Sequence, residues 1–117
     1  MANSIEKLKS TIAEFIRERD WEQFHSPKNL AVGLSVEASE LLEIYTWLTD
    51  EESKNLDSEK LSMVKDEVGD ILIYLIDFCS TMDLDPIECA SQKLLKNAEK
   101  YPISKAKGNA TKYTDLL

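Results

Sequence analysis

The sequence predicts an all-α protein, a four-helix bundle-type protomer with an irregular carboxy-terminal arm. Three observations carry this. Apolar residues recur at three- and four-residue spacing through four segments, the period of one helix face. A capping residue followed at once by proline occurs twice, at Ser26-Pro27 and Asp85-Pro86, and this pairing opens helices. Only three Gly and three Pro in 117 residues, with few aromatic or β-branched clusters, suit helices better than a sandwich or barrel.

The first helix is expected over residues 4–19, with Ile5, Leu8, Ile12, Phe15 and Arg19 marking a face. A dense segment from Arg19 to Asn29 separates it from the second helix, which Ser26 caps and Pro27 begins, running to about Leu48. Residues 49–57 are polar and read as a loop. Ser58 is the expected cap of the third helix, which runs to about Met82 with apolar positions Leu61, Val64, Val68, Ile71, Leu72, Leu75 and Phe78. Asp85-Pro86 opens the fourth, which ends near Tyr101, where Pro102 stops it. From Ile103 to Leu117 no helical period is visible, and Gly108-Asn109 marks a turn, so this stretch reads as an arm. Nothing resembles a linker or a repeat, so residues 1–117 are expected to form a single domain.

The net charge of −8 argues against binding a nucleic-acid backbone, although an acidic protein can bind a small polyanion if a metal supplies positive charge. No apolar run approaches a membrane span. The amino terminus lacks the basic-then-apolar order of a signal peptide, and a cytoplasmic protein is expected. Cys79 and Cys89 with one His are too few for a Cys/His zinc site, and Cys79 reads as a small core residue.

The chemistry lies in two acid pairs. In the second helix, Gly33, Glu37, Glu40, Ile44 and Trp47 share one side. The neighbouring stripe, Leu34, Glu37, Leu41, Ile44 and Leu48, is apolar except for Glu37. The third helix repeats the pattern: Val64, Glu67, Ile71, Tyr74 and Phe78 form a stripe, with Asp70 one turn from Glu67. Helices joined by a short connection are usually antiparallel neighbours, so the two pairs can face each other. Taking each ionised carboxylate away from water costs several kcal/mol. Protonation, pairing with Lys or Arg, or a divalent cation could hold four of them together, and neither stripe has a basic residue at the facing positions. A hard cation with oxygen ligands fits best, and one that keeps waters for a phosphate substrate points to magnesium or manganese.

The ordinary reading weighs against this. With 22 acidic residues, any single pair at this spacing is a weak motif. Glu51, Glu52 and Glu59 read as solvated charges, and Glu43 and Asp66 belong to outer faces. A di-iron bundle would need two Glu-x-x-His repeats. Only Glu22-Gln23-Phe24-His25 exists, and Ser26-Pro27 interrupts it, so His25 reads as a structural hydrogen-bonding residue at a helix entry.

Glu37-x-x-Glu40, 26 intervening residues and Glu67-x-x-Asp70 resemble the signature of the all-α nucleoside triphosphate pyrophosphohydrolases, the MazG-like group. The stretch Arg19 to Leu30, the run Asp70-Ile71-Leu72-Ile73-Tyr74-Leu75, Lys100-Tyr101-Pro102 and Lys112-Tyr113-Thr114-Asp115-Leu116 narrow the resemblance to the dCTP pyrophosphatase branch, over roughly residues 12–117. The resemblance implies a bundle that assembles as a homo-oligomer, a dimer or a dimer of dimers. It implies magnesium held by Glu37, Glu40, Glu67 and Asp70, and hydrolysis of a nucleoside triphosphate to the monophosphate and pyrophosphate as nucleotide-pool house-cleaning. It also implies that Trp21 and Trp47 enclose the base while Tyr74, Lys93 and Asn97 contact the nucleotide.

The residues themselves are compatible with those roles. A carboxylate not fully occupied by metal can take a proton from water, with Glu40 the first candidate and Glu37 the second. Aromatic faces stack on bases, an Asn amide can read a pyrimidine edge, and a Lys can hold a phosphate. Their ordinary readings are a core Trp, a packed Asn and a solvated Lys. One departure bears on selectivity. Vertebrate members of the branch carry a base-contacting His where this chain has Ile12, so a broader choice of deoxynucleotides is expected. Two alternatives stay open: a non-enzymatic helical interaction module whose acids meet a basic partner, and a related all-α hydrolase acting on dUTP or a phosphoribosyl nucleotide. The preferred base, the number of metals, the choice between dimer and tetramer and the role of the arm are open at this point.

Overall fold

Each long helix starts where a side chain can satisfy its free N–H groups. In the computed structural model, which describes residues 4–116, Ser4 Oγ accepts from Lys7 N–H at 3.1 Å and opens α1, Ile5–Glu18. Ser26 Oγ accepts from Asn29 N–H at 3.2 Å and Pro27 takes the first position of α2, Pro27–Tyr45. Asp85 Oδ1 accepts from the N–H groups of Ile87 and Glu88, ahead of α5, Pro86–Lys100. All three starts follow the sequence expectation. Residues 1–3, which belong to the stretch read for a signal peptide, and Leu117, the end of the arm, lie outside the described residues. The described residues are helix, turn and loop, with no strand.

Four boundaries differ from expectation. The polar segment 49–57 contains a short helix, α3, Asp50–Lys54. A reciprocal capping box makes it: Glu52 N–H donates to Thr49 Oγ1 at 3.1 Å and Thr49 N–H donates to Glu52 Oε1 at 2.9 Å. The Thr49 N–H, and then the Thr49 side chain, hold the Glu52 carboxyl below its ordinary range. The cap of the next helix, α4, Ser58–Thr81, is Asp57 rather than Ser58; its Oδ1 accepts from Lys60 N–H at 2.8 Å. α2 stops at Tyr45, before Trp47. The arm is not wholly irregular: it holds α6, Ile103–Ala106, and a 3₁₀ turn, Tyr113–Asp115.

Through Leu84 the chain forms one compact unit and from Asp85 a second. In the first, α4 runs along α2 and also packs on α1. Ile12 and Ile16 of α1 meet Ile76 of α4 in the buried cluster, with Ile5 and Leu8 against it. Leu30 and Cys79 are also buried, Cys79 as expected of a small core residue. α1 and α4 end alike. Trp21 N–H donates to Ile16 O and Asp20 N–H to Arg17 O; Leu84 N–H donates to Cys79 O and Asp83 N–H to Ser80 O. These are Schellman closures, with Asp20 at φ +54° and Asp83 at φ +56° in the left-handed position. The first one directs the chain into a 3₁₀ turn, Glu22–Phe24, and so delivers Trp21 and His25 to the flank of α4.

In the second unit the chain beyond α5 folds back on the helix end. Tyr113 meets Tyr101 edge-on with ring centroids 6.2 Å apart, and Lys100 Nζ lies 4.8 Å from the Tyr113 ring centre. Gly108 at φ +81° makes the reversal. No helix among the described residues is long and apolar enough to cross a membrane.

Candidate active site

Pairing of α2 with α4 brings Glu37 opposite Glu67 and Asp70. One carboxylate oxygen from each lies within 4.8 Å of the others. Glu37 and Glu67 are half-buried, and each has its Oε2 shielded from solvent with no hydrogen-bond partner. Two ionised carboxylates have only acceptors to offer each other, so the oxygens can be satisfied by a shared proton or by a cation. The Glu67 carboxylate, then burial, then Glu40 push the Glu37 carboxyl up from 4.5 to about 7. The donor set is all oxygen, which suits a hard divalent ion. Glu37, Glu67 and Asp70 could therefore hold such an ion.

Glu40 stands beside this trio and contributes to raising Glu37, but it is exposed. It opens onto a cavity of about 490 Å³ lined by Glu40, Glu43, Ile44, Glu59, Lys60, Met63 and Glu67. Two of these acids, Glu43 and Glu59, read from the sequence as outer-face and solvated charges. They join the cavity wall because α2 and α4 pack side by side, an effect no periodicity within one helix reveals. Lys60, three residues from its 3.9 Å partner Asp57, supplies a positive charge at the same wall.

A second cavity, of about 360 Å³, includes Asp70 in its lining. Phe15, Trp21, Ile73 and Tyr74 wall it, Ile12 and Ile16 form its base, and Asp70, His25 and Asp77 are its charged or polar edges. Phe15 and Trp21 meet edge-to-face at 5.8 Å, and the Arg19 guanidinium covers Phe15 at 3.7 Å from the ring centre. Tyr74 reaches the wall because Gly33 on α2 has no side chain in its way. Asp70 thus borders both the carboxylate trio and an aromatic pocket of ligand size.

Comparison with known proteins fits this arrangement. A model of the MazG-like family matches residues 32–116. The chain belongs to the MazG-like family. Mouse dCTP pyrophosphatase 1 is 36% identical over 115 residues, covering 97% of this chain and 68% of the mouse protein. The bovine protein of the same name is 37% identical with the same coverage. Among solved structures, a pyrophosphatase from Archaeoglobus fulgidus has 39% identity and a TM-score of 0.80, covering 84% of this chain and 92% of its own.

The expected site residues of this MazG-like chain are only partly brought together. Glu37, Glu67 and Asp70 converge, Glu40 adjoins them, and Trp21 and Tyr74 share the aromatic cavity. Ile12 lines that cavity too, an apolar residue that offers the base no hydrogen bond. Trp47 does not close over it: lying past the end of α2, its side chain is 91% exposed. Lys93 and Asn97 lie on α5 in the second unit. Lys93 is exposed, and Lys100 lowers its proton affinity. Asn97 is half-buried, and its backbone carbonyl accepts from Tyr101 N–H at 2.8 Å. His25 Nδ1 lies 2.9 Å from Oδ2 of Asp77, a partner the sequence did not suggest, without the aligned hydrogen bond expected of it.

Proposed function

We propose that this chain, a nucleoside triphosphate pyrophosphohydrolase, acts on deoxynucleoside triphosphates, with dCTP-like substrates favoured. It would convert them to the monophosphate and pyrophosphate, with magnesium or manganese as cofactor, in cytoplasmic nucleotide-pool house-cleaning. One observation carries the reading: Asp70 borders both a trio of carboxylates with two buried, unpaired oxygens and an aromatic pocket that can take a base. Phosphates and base of one nucleotide can then occupy adjoining spaces.

Glu37, Glu67 and Asp70 would hold the cation, with Glu40 as the fourth acid. When bound, the cation supplies neutralisation of phosphate oxygens and acidification of water. Glu40 faces the larger cavity and takes the proton of the attacking water; Glu37, whose proton affinity is raised, is the second candidate. Trp21 stacks on the base and Tyr74 flanks it. Trp47, Lys93 and Asn97 complete the proposed substrate-binding set, Trp47 with an indole face open to a ligand.

The proposal includes a homo-oligomer, a dimer or dimer of dimers. Buried hydrophobic residues are few, while Leu42, Leu94, Leu95 and Ile103 are each more than 60% exposed. On α4, Leu61, Val68, Leu72 and Leu75 form an exposed stripe at helical spacing. Apolar area on this scale suits cover by a second copy.

The test is product analysis. Purified protein with magnesium should convert dCTP to dCMP and pyrophosphate faster than it converts dUTP or a phosphoribosyl nucleotide. Glu40→Gln should lose at least about 100-fold in rate. No turnover of any nucleotide, or full activity of the Glu40→Gln protein, would overturn the reading.

A further inference from the structure

Besides Thr11, whose hydroxyl donates to Lys7 O at 3.0 Å, the aromatic pocket has one polar feature that the reaction does not use. His25 and Asp77 both line it, at the end away from the carboxylate trio. They also line a third cavity, likewise of about 360 Å³, whose other charged groups are Arg17 and Glu22. The pair is therefore a partition: base pocket on one side, Arg17 and Glu22 on the other. His25 Nδ1 lies 2.9 Å from Asp77 Oδ2, with side chains 23% and 14% exposed. The contact is a close charge approach rather than a well-aligned hydrogen bond. A nitrogen lone pair aimed at an ionised carboxylate oxygen at that distance would be repelled, so the ring proton sits on Nδ1. That leaves Nε2 as the remaining hydrogen-bonding atom of the imidazole, with its lone pair available in the neutral ring.

We propose that Asp77 is a specificity-determining positioning residue: it fixes the proton of His25 on Nδ1, so that Nε2 presents a hydrogen-bond acceptor to the base pocket. A fixed acceptor favours a base carrying an exocyclic amino group over one carrying a carbonyl at the same place. Cytosine and uracil differ in that way at position 4. Ile12, Ile16, Phe15 and Ile73 offer no polar atom, and the Thr11 hydroxyl is engaged with Lys7 O. The dyad thus supplies a polar reader in the pocket where Ile12 cannot. The inference rests on the reading that this pocket holds the base, and the test separates the two.

Two measurements decide it. The chain has a single histidine, so its ring nitrogens can be assigned without ambiguity in ¹⁵N-labelled protein. At pH 8.5, long-range ¹H–¹⁵N spectra should show the Nδ1–H form. An Nε2–H form would overturn the proposal without any variant. Calorimetry with dCMP and dUMP, which differ at position 4 and in the proton on N3, should show dCMP bound about tenfold more tightly. Asp77→Leu should bring the two affinities within about twofold, mainly by weakening dCMP, while Asp77→Asn, which keeps an acceptor, should restore most of the difference. A purely structural Asp77 would weaken both ligands alike and leave their ratio unchanged, which would overturn the proposal, as would wild-type protein that binds both equally. dNTP hydrolysis is assayed in parallel. Its absence would sink the pyrophosphohydrolase reading, whereas normal hydrolysis with an unchanged ratio would sink only the role of Asp77.

Discussion

The ring of Tyr74 lies so close over Gly33 that a β-carbon there would fall 2.3 Å from its Cε1 and 2.7 Å from its Cζ. Gly33 therefore sets how near α2 approaches the pocket wall on α4. Gly69, also mid-helix, has nothing within 4 Å of such an atom. Gly→Ala in a helix gains about 0.5–1 kcal/mol when space is open. Gly69→Ala should accordingly raise the melting temperature. Gly33→Ala must displace the Tyr74 ring, and overpacking of this kind costs about 1–3 kcal/mol. It should fail to stabilise and should raise the KM for dCTP several-fold. Thermal melts and steady-state kinetics on the two variants check this; equal stabilisation by both would contradict it.

Glu37 predicts how the metal-free protein responds to pH. Its carboxyl is raised from 4.5 to about 7, with the Glu67 carboxylate as the main cause. The folded state then binds more protons than the unfolded state between those values, so stability falls as pH rises across that window. In chelator, the melting temperature should decline from pH 5 to 8, and Glu37→Gln should remove much of the decline. Magnesium should also remove it, because a cation that binds the folded form offsets the repulsion. Melting temperature against pH, with chelator and with magnesium, is the measurement.

The start of α4 offers a test of local structure. Asp57, not Ser58, accepts from Lys60 N–H. Replacing a working cap by alanine costs about 1 kcal/mol. Asp57→Ala should lower stability by about that amount, and Ser58→Ala should change little. Urea denaturation of both distinguishes the two caps.

Exposed apolar side chains predict assembly. Leu94 and Leu95 are 68% and 64% exposed. Sedimentation should give a mass at least twice that of the chain, and a Leu94→Glu, Leu95→Glu double variant should sediment as a smaller species with a lower melting temperature. Wild-type protein that stays monomeric at micromolar concentration would contradict the oligomer.

Much of this was legible in the sequence, and the exceptions share causes. The long helices follow from periodicity and from Ser26-Pro27 and Asp85-Pro86, because those signals act within a few residues. The convergence of Glu37, Glu67 and Asp70 is legible because acids recur on otherwise apolar stripes. α3 was missed because Thr49 and Glu52 form a capping box in a segment too short to show a period. Glu43, Glu59 and Lys60 are not legible as cavity residues because the packing of one helix against another is a tertiary fact. Asp77 was invisible as the partner of His25 because 51 residues of chain lie between them. Trp47 shares the face of Glu40 only if α2 runs about one turn past Tyr45, where it ends.

Divalent-cation binding tests the central claim most directly. Manganese titrated into the metal-free protein, followed by the electron paramagnetic resonance of the free ion, should show saturable binding. Glu67→Gln and Glu37→Gln should each abolish it while remaining folded. Binding that is unaltered in both variants, or absent from the wild type, would contradict a cation held between α2 and α4.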